Sequence, residues 1–300
     1  MNFLAGCRTP FEGANGITVV SSRGIPEAQR IVWSPTDENK ILVTVPPNLT
    51  NRGSEVYILD TQTGQKNILA KEQPGQLFEA KWTPDGRGTL ILSAGSTPGF
   101  ETAGWWKMDI ENKSSEYLME FGDAAWSPDA KTIALLHQER NSANEIVKVD
   151  LQLVDAKTNA VQTIYTTDKV DFTWGISWSP DGQYLVFSLG QGSHGNLYIV
   201  NIKTQQTKKV TENDRSDFPV WSPKGNIIAF EVYEEKEYST VLHLIDPEGK
   251  CDVIIPNIKG GKSPTWSPDG KKLGYIDIDN ISFLDVNQVI GRDIYQNLCP

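Results

Sequence analysis

Short apolar runs that alternate with polar residues fill this 300-residue chain, and Gly, Pro, Asp and Asn break them at regular intervals. No segment sustains an apolar stripe at helical spacing, so the pattern predicts strands joined by tight turns. One arrangement recurs six times: a short apolar stretch, Trp-Ser-Pro-Asp-Gly with variations, then a second apolar run. The copies are IVWSPTDENKILVT, AKWTPDGRGTLILS, AAWSPDAKTIALLH, ISWSPDGQYLVFS, PVWSPKGNIIAFE and PTWSPDGKKLGYID. Their tryptophans, Trp33, Trp82, Trp126, Trp178, Trp221 and Trp266, are spaced 49, 44, 52, 43 and 45 residues apart. That is the length of one four-stranded propeller blade, about 40–50 residues.

Each motif has a physical reading. Ser, Pro and Gly take the positions of a type I turn that favour them, and the turn joins a strand ending at Trp to the next strand. The Trp ring is expected to pack between neighbouring blades. Copies with Thr83 for Ser, Lys224 for Asp, Ala130 for Gly and an enlarged Thr36–Asn39 turn keep the same shape. A third strand follows in each unit, ending at Asp60, Asp109, Asp155, Asn201, Asp246 or Asp285, and then a polar turn and a fourth strand. The fold expected is all-β, a six-bladed β-propeller of four-stranded antiparallel blades. After Val286 no outer strand is evident, whereas ITVVSS begins at Ile17, well before the first Trp. Residues 17–20 are therefore expected to complete the last blade and remove a sheet edge. This divides the chain into a tether over 1–15 and a single propeller over 16–300.

The Trp-Ser-Pro-Asp-Gly repeat resembles the WD-like repeat of the TolB propeller family over about residues 17–290, the propeller alone and not the domain that precedes it in TolB. Similar repeats occur in propellers attached to prolyl-oligopeptidase-type hydrolases and in oligogalacturonate lyases. The resemblance therefore implies a fold and leaves the function open.

Composition narrows the classes. A net charge of −10 repels phosphate backbones and argues against nucleic acid as a partner. No run approaches the ~18 apolar residues of a membrane span. There is no G-x-S-x-G elbow and no phosphate cradle. Three histidines are candidates for chemistry: His137 at the end of a strand, His194 in a Gly-rich loop, and His243 as a partly buried strand residue. They do not make a metal site, and no cofactor is expected. Glu231, Glu234, Glu235 and Glu237 bracket one loop and read as a solvated face. Asp277 and Asp279 offer oxygens to Ca²⁺ without the spacing of an EF-hand.

What remains is surface. The loops joining second to third strands and fourth to first strands emerge on one face, where Phe78, Phe100, Trp174, Phe218 and Tyr233 mix with Arg52, Arg140 and Arg215. Aromatic and Arg residues together are the composition of binding hot spots. Trp174 and Phe218 have a second reading as a cap on the core near the axis. At the other end, Leu4-Ala5-Gly6-Cys7 matches a bacterial lipobox, although only six residues precede Cys7. With Cys7 lipidated, Cys251 at the outer strand of blade 5 and Cys299 in the tail after blade 6 are placed to form a disulfide. The function expected is non-catalytic recognition of a protein or peptide on the loop face, in the bacterial periplasm or cell envelope. A cytoplasmic protein with free thiols is the alternative for location. A glycan-active lyase or hydrolase using His137 and loop carboxylates is the alternative for activity.

Overall fold

The computed structural model describes residues 11–12, 17–20, 28–46, 53–72, 77–95, 99–192, 194–256, 258, 260–277, 280–296 and 298–299. Six antiparallel sheets follow one another along the chain as the blades of a propeller. Their inner strands are Arg30–Trp33, Leu77–Trp82, Gly122–Trp126, Phe172–Trp178, Ser216–Trp221 and Gly261–Trp266, each ending at the motif Trp. Blades 1 to 5 take four consecutive strands each. Blade 6 has only three of its own, and Ile17–Val20 pairs antiparallel with its third strand, Ile17 opposite Leu284 and Val20 opposite Ile281. The ring is thus closed by hydrogen bonds between the two ends of the chain. A further short strand, Phe11–Glu12, pairs outside Ile17–Val20 and was not expected from the sequence.

The turn chemistry explains why the motif repeats. In blades 2, 3, 4 and 6 the hydroxyl of Thr83, Ser127, Ser179 or Ser267 donates to the Asp two residues on, at 2.6–2.7 Å. The same hydroxyl oxygen accepts an N–H from the start of the second strand, as in Tyr184 to Ser179 at 2.9 Å. The Asp accepts another backbone N–H, as in Gln183 to Asp181 at 3.0 Å. Hydroxyl donation first, then these N–H groups, hold Asp85, Asp129 and Asp181 below the usual carboxylate range. The fourth turn residue sits in the left-handed region, which glycine enters freely. Gly182 has φ +70°, and Ala130, the departure from the motif, is held at φ +59°.

Burial is organised between blades. Each junction holds its own apolar cluster, including the one that joins blade 6 to blade 1 through Trp33, Ile41, Tyr57, Ile276 and Phe283. At that seam the hydroxyls of Ser263 and Thr265 accept the N–H groups of Ile31 and Trp33 at 2.9 and 2.8 Å. Trp82, Trp178 and Trp266 each donate Nε1–H to a carbonyl of the preceding blade, that of Val32, Ala125 and Val220. Trp33 and Trp221 instead bond carbonyls of their own turns, Glu38 and Gly225. The inter-blade bond therefore links blades 1 with 2, 3 with 4, and 5 with 6.

Two features differ from the sequence reading. A five-residue helix, Val286–Ile290, follows blade 6, capped by the Asp285 carboxylate on Gln288 N–H and by Gly291 at φ +77°. It is too short to have a periodic signature. The blade 3 hairpin also runs further than expected, pairing through Arg140 and Ile146. His137 thus lies within a strand, its Nδ1 3.4 Å from Glu120.

Two outcomes follow from this architecture. An L-residue in the left-handed region costs roughly 1–2 kcal/mol, so Ala130→Gly should raise stability by about 1 kcal/mol, or roughly 2 °C in Tm; calorimetry showing no gain would mean the turn relaxes around Ala130. Removal of residues 1–22 takes away the fourth strand of blade 6 and should lower Tm by more than any single-residue change in an outer strand. An unchanged melting curve would show that the terminal strand does not hold the ring.

Candidate functional site

Inner strands start on the loop face and descend to the Trp turns, so the residues three before each Trp form a ring around the channel mouth. That ring is Arg30, Glu79, Asp123, Gly175, Phe218 and Ser263. In blades 4, 5 and 6 the pairing with the second strand slips at this level. Gly175, Phe218 and Ser263 sit there at φ +83°, +50° and +55°. Such bulges re-aim side chains and recur beside functional sites, and non-glycine residues with positive φ carry strain that the surroundings must sustain. Proline follows in two of the three cases, Pro219 and Pro264, and supplies no N–H to the ladder. The channel below is a cavity of about 360 Å³ to which all six inner strands contribute.

The bulged backbone is met by carboxylates. Ser263 N–H donates to Glu231 Oε1 at 2.6 Å. Glu231 is only 5% exposed. Burial pushes its carboxyl above the usual range, against the pull of Arg30 and of the Ser263 N–H. Asp123 accepts the Thr173 hydroxyl at 2.6 Å. Desolvation, then the neighbouring Glu79, raise its carboxyl, opposed by Lys81 and by hydrogen bonds from Thr173 and Gly175. Asp217, also buried, accepts from Ser188 Oγ and Gly195 N–H, both at 3.1 Å, and its second oxygen lies 2.8 Å from His194 Nδ1. These acids satisfy backbone and side-chain donors that the bulges and the hairpin leave over.

Above them lies an aromatic platform. Phe172 stacks on Trp174 with centroids 6.0 Å apart and planes 10° from parallel, and Trp174 meets Phe218 at 5.5 Å. The Arg30 guanidinium lies over the Phe218 ring at 3.8 Å. Cation–π contact and van der Waals packing hold it there, and its Nη1–H donates to the Gln29 carbonyl at 3.2 Å. Trp174 Nε1 is buried without a hydrogen-bond partner. A buried indole donor of this kind is costly unless something accepts from it.

The expected binding residues do not all meet. Trp174 and Phe218 come together in this platform. Tyr233 stacks on His194 at 4.4 Å, and its N–H donates to the Arg215 carbonyl, which sets these two residues on blade 5 beside Asp217. Arg140 stands on the blade 3 hairpin and reaches the mouth through a chain, Arg140 to Gln138 to Thr173 to Asp123. Phe78 lies on the other side with Phe121, at 6.1 Å, both exposed. Phe100 is corrected. It is 5% exposed and packs edge-on against Trp106 in the core between blades 1 and 2, its carbonyl 3.4 Å from Ser93 Oγ. His194 is a strand residue tied to Asp217 and not a loop tip. Glu231 is corrected as well: the inner end of its strand points into the protein, whereas Glu235 and Glu237 are exposed as expected. Cys7, Arg52 and Asp279 lie outside the described residues, and among the described residues no three His, Cys, Asp or Glu side chains gather as metal ligands.

Arg30, Phe172, Phe121 and Glu231 were absent from the sequence-based binding set. Aligning the residue three before each Trp places Arg30 in one column with Phe218, a signal that does not reach Phe172, Phe121 or Glu231.

Cysteines 251 and 299 are joined as a disulfide with Cα atoms 5.7 Å apart. No described helix is long and apolar enough to cross a membrane.

Residues 112–283 match the family model of the TolB beta propeller domain. An uncharacterized protein of Agrobacterium fabrum, Atu1656, is 25% identical over 278 residues, covering 74% of this chain and 92% of that protein. A protein TolB homolog of Chlorobium chlorochromatii is 30% identical over 99 residues, 33% of this chain and 22% of the homolog. The crystal structure of TolB from Acinetobacter baumannii superimposes with a TM-score of 0.62 at 17% identity, over 92% of this chain and 65% of that one. At that identity the likeness is one of fold, and this chain spans less than two thirds of that protein.

The buried carboxylate yields an outcome with a definite sign. A carboxyl held above its unfolded-chain value of 4.5 favours the fold while protonated. That contribution is complete below the unfolded value and is lost as pH rises through the raised one. Glu231→Gln keeps the oxygen that Ser263 N–H needs and removes the charge, so denaturant midpoints from pH 4 to 8 should fall less for the variant. A variant clearly less stable than the parent at pH 8 would show that the attraction of Arg30 outweighs desolvation.

Proposed function

Because the chain belongs to the TolB beta propeller domain family, we propose that it is a recognition module that binds a protein or peptide segment on its loop face, without a chemical step. The observation that carries this reading is the platform of Phe172, Trp174, Phe218 and Arg30 at the channel mouth. Rigid rings give contact area at little entropic cost, and buried aromatic and Arg anchors carry most interface energy. The unpartnered Trp174 Nε1–H is a donor for a backbone carbonyl or a carboxylate of the bound segment. The Arg30 guanidinium, which gives one N–H to the Gln29 carbonyl, adds a positive charge that attracts a carboxylate. Strained Phe218 and its bulged neighbours hold the platform in place before binding, which reduces the ordering cost. The remaining aromatic pair, Phe78 and Phe121, extends the same face across blades 2 and 3.

Location at the bacterial cell envelope is part of the proposal. Disulfides persist in oxidising compartments, and the Cys251–Cys299 bond supports such a site. A lipid tether through Cys7 is consistent with it and is tested by mass spectrometry of membrane-extracted protein.

Binding is tested by capture from bacterial envelope extract, followed by titration of the captured partner. Trp174→Ala and Phe218→Gly should each weaken binding by more than about 1 kcal/mol, or about fivefold. Phe218→Gly suits the φ of +50° at that position and so removes the ring without burdening the backbone. Undiminished binding by both variants would assign the rings to the core and overturn the reading.

A further inference from the structure

On the face opposite the platform, the chain after blade 6 turns at Gly291 and runs back beneath the junction of blades 5 and 6. Ile294 and Leu298 enter the apolar cluster there, together with Cys251, Ile255 and Trp266. Tyr295 donates its hydroxyl proton to the Gly270 carbonyl at 2.6 Å and lies 2.7 Å from Ser222 Oγ. Gly270 closes the turn of blade 6 and Ser222 opens the turn of blade 5, so one phenol bridges two blades. Asn226 Nδ2 donates to the Tyr295 carbonyl at 2.8 Å.

The socket is made by a departure from the repeat. In blades 2, 3, 4 and 6 the hydroxyl that opens the turn is consumed by the motif Asp. Blade 5 has Lys224 at that slot, and Ser222 pairs with Tyr295 instead. The Lys224 ammonium lies over the Tyr295 ring, 4.5 Å from its centroid. Substitution of Lys for Asp thus does two things at once: it frees a hydroxyl for the phenol and supplies a cation for the ring. Beyond Tyr295 the segment ends in the disulfide, where Cys251 is 7% exposed and Cys299 is half-buried. Leu298 and Cys299 form part of the wall of a groove of about 1520 Å³ that continues under blades 4 and 5 past Tyr184, Ile199 and Trp221.

We propose that the segment after blade 6, residues 291–296 with Leu298 and Cys299, is a redox-released strap. Clasped by the disulfide, it covers the junction of blades 5 and 6; reduced, it leaves its socket and opens the groove into that junction. The physical reason is that few side chains hold many ordered residues. Ile294, Leu298, Tyr295 and a few hydrogen bonds, from Asn226 to the Tyr295 carbonyl, from Ile294 N–H to Asn287 and from Arg292 to the Leu298 carbonyl, oppose the chain entropy of the segment. The covalent clasp offsets part of that entropy cost. Release follows ordinary thiol–disulfide exchange with a dithiol reductant. A reductant thiolate attacks the more accessible Cys299 sulfur, and the Cys251 thiolate leaves and takes a proton. The second reductant thiol then attacks the mixed disulfide, closing the reductant's own disulfide and expelling Cys299 as a thiolate that is protonated in turn. Two electrons and two protons pass from the dithiol to the cystine.

The test is amide hydrogen exchange by mass spectrometry on the full chain, oxidised and in dithiothreitol, with thiols counted in parallel. On reduction to two reactive thiols, peptides from 291–299 should lose protection at least tenfold, as should those of the Ser222 and Gly270 turns, while blades 1 to 3 stay protected. Cys299→Ser should reproduce that pattern without reductant. Lys224→Asp should speed exchange at Tyr295 with the disulfide intact, because it restores a carboxylate to compete for Ser222. Unchanged strap protection after complete reduction would overturn the proposal. Loss of protection throughout the molecule would do so too, because the disulfide would then be a staple of the fold. Two free thiols in oxidised protein from the periplasm would remove its premise.

Discussion

A four-stranded sheet that is apolar on both faces has to be covered twice, and among the described residues the neighbouring sheets supply most of that cover. Every blade therefore depends on the next, and the dependence ends only when the last blade meets the first. The apolar cluster of Trp33, Tyr57, Ile276 and Phe283 fills that final junction, and the hydroxyls of Ser263 and Thr265 accept N–H groups across it. The strand from Ile17 to Val20 then supplies the edge that blade 6 lacks. Without closure two sheet faces and an edge would be left to solvent or to other chains. The motif tryptophans bond across junctions 1–2, 3–4 and 5–6, while at 2–3 Trp105 Nε1–H donates to the Gly122 carbonyl and at 4–5 Trp221 N–H donates to Ser177 Oγ. Trp126 Nε1, buried and unpaired, stands where a further bond of this series would form.

Most of the fold was legible because turns and burial are local problems, the turn solved the same way in four blades and with small departures in the other two. The hydroxyl–Asp–amide arrangement needs Ser or Thr, Pro, Asp and a left-handed residue in fixed order, so it leaves a text that can be read at each copy. The terminal strand was legible for the complementary reason that blade 6 lacks a counterpart of its own. Placing Cys251 and Cys299 in adjacent blades required only that count. The short helix after Asp285 carried no period to read, and Phe11–Glu12 has no partner until Ile17–Val20 has found its own.

The site was less legible because it depends on what stands across a gap, and period-two patterns do not record that. Glu231 lies in the same acidic run as Glu235, yet a shift of a few residues along the strand separates a carboxylate that holds Ser263 N–H from one in water. Phe100 and Phe78 were both read as loop residues on the same face, but the former is drawn under by Trp106 while the latter lies at the start of an inner strand and stays exposed beside Phe121. His194 sits among glycines that suggest a flexible tip, yet Asp217 from the next blade fixes its ring. For Glu231 and His194 the deciding partner belongs to another blade, and for Phe100 it is Trp106 of its own blade, facing the junction with blade 1.

Departures from the repeat are therefore more informative than the repeat itself. Where Asp becomes Lys224, the turn hydroxyl is released to the C-terminal segment. Where the residue three before Trp becomes Phe218 or Ser263, the strand bulges and its side chains or amides turn toward the channel. The buried acids of the mouth follow from those bulges: Glu231 and Asp123 accept the donors that a regular ladder would have paired. Their charge is thereby committed to the backbone. Trp174 Nε1–H and the outer Phe172 face are not committed in this way, and they lie together at the rim with the Arg30 guanidinium. Where the regularity of the ring fails at its mouth, stacking and hydrogen-bonding groups are left over side by side, and the capacity to bind concentrates there.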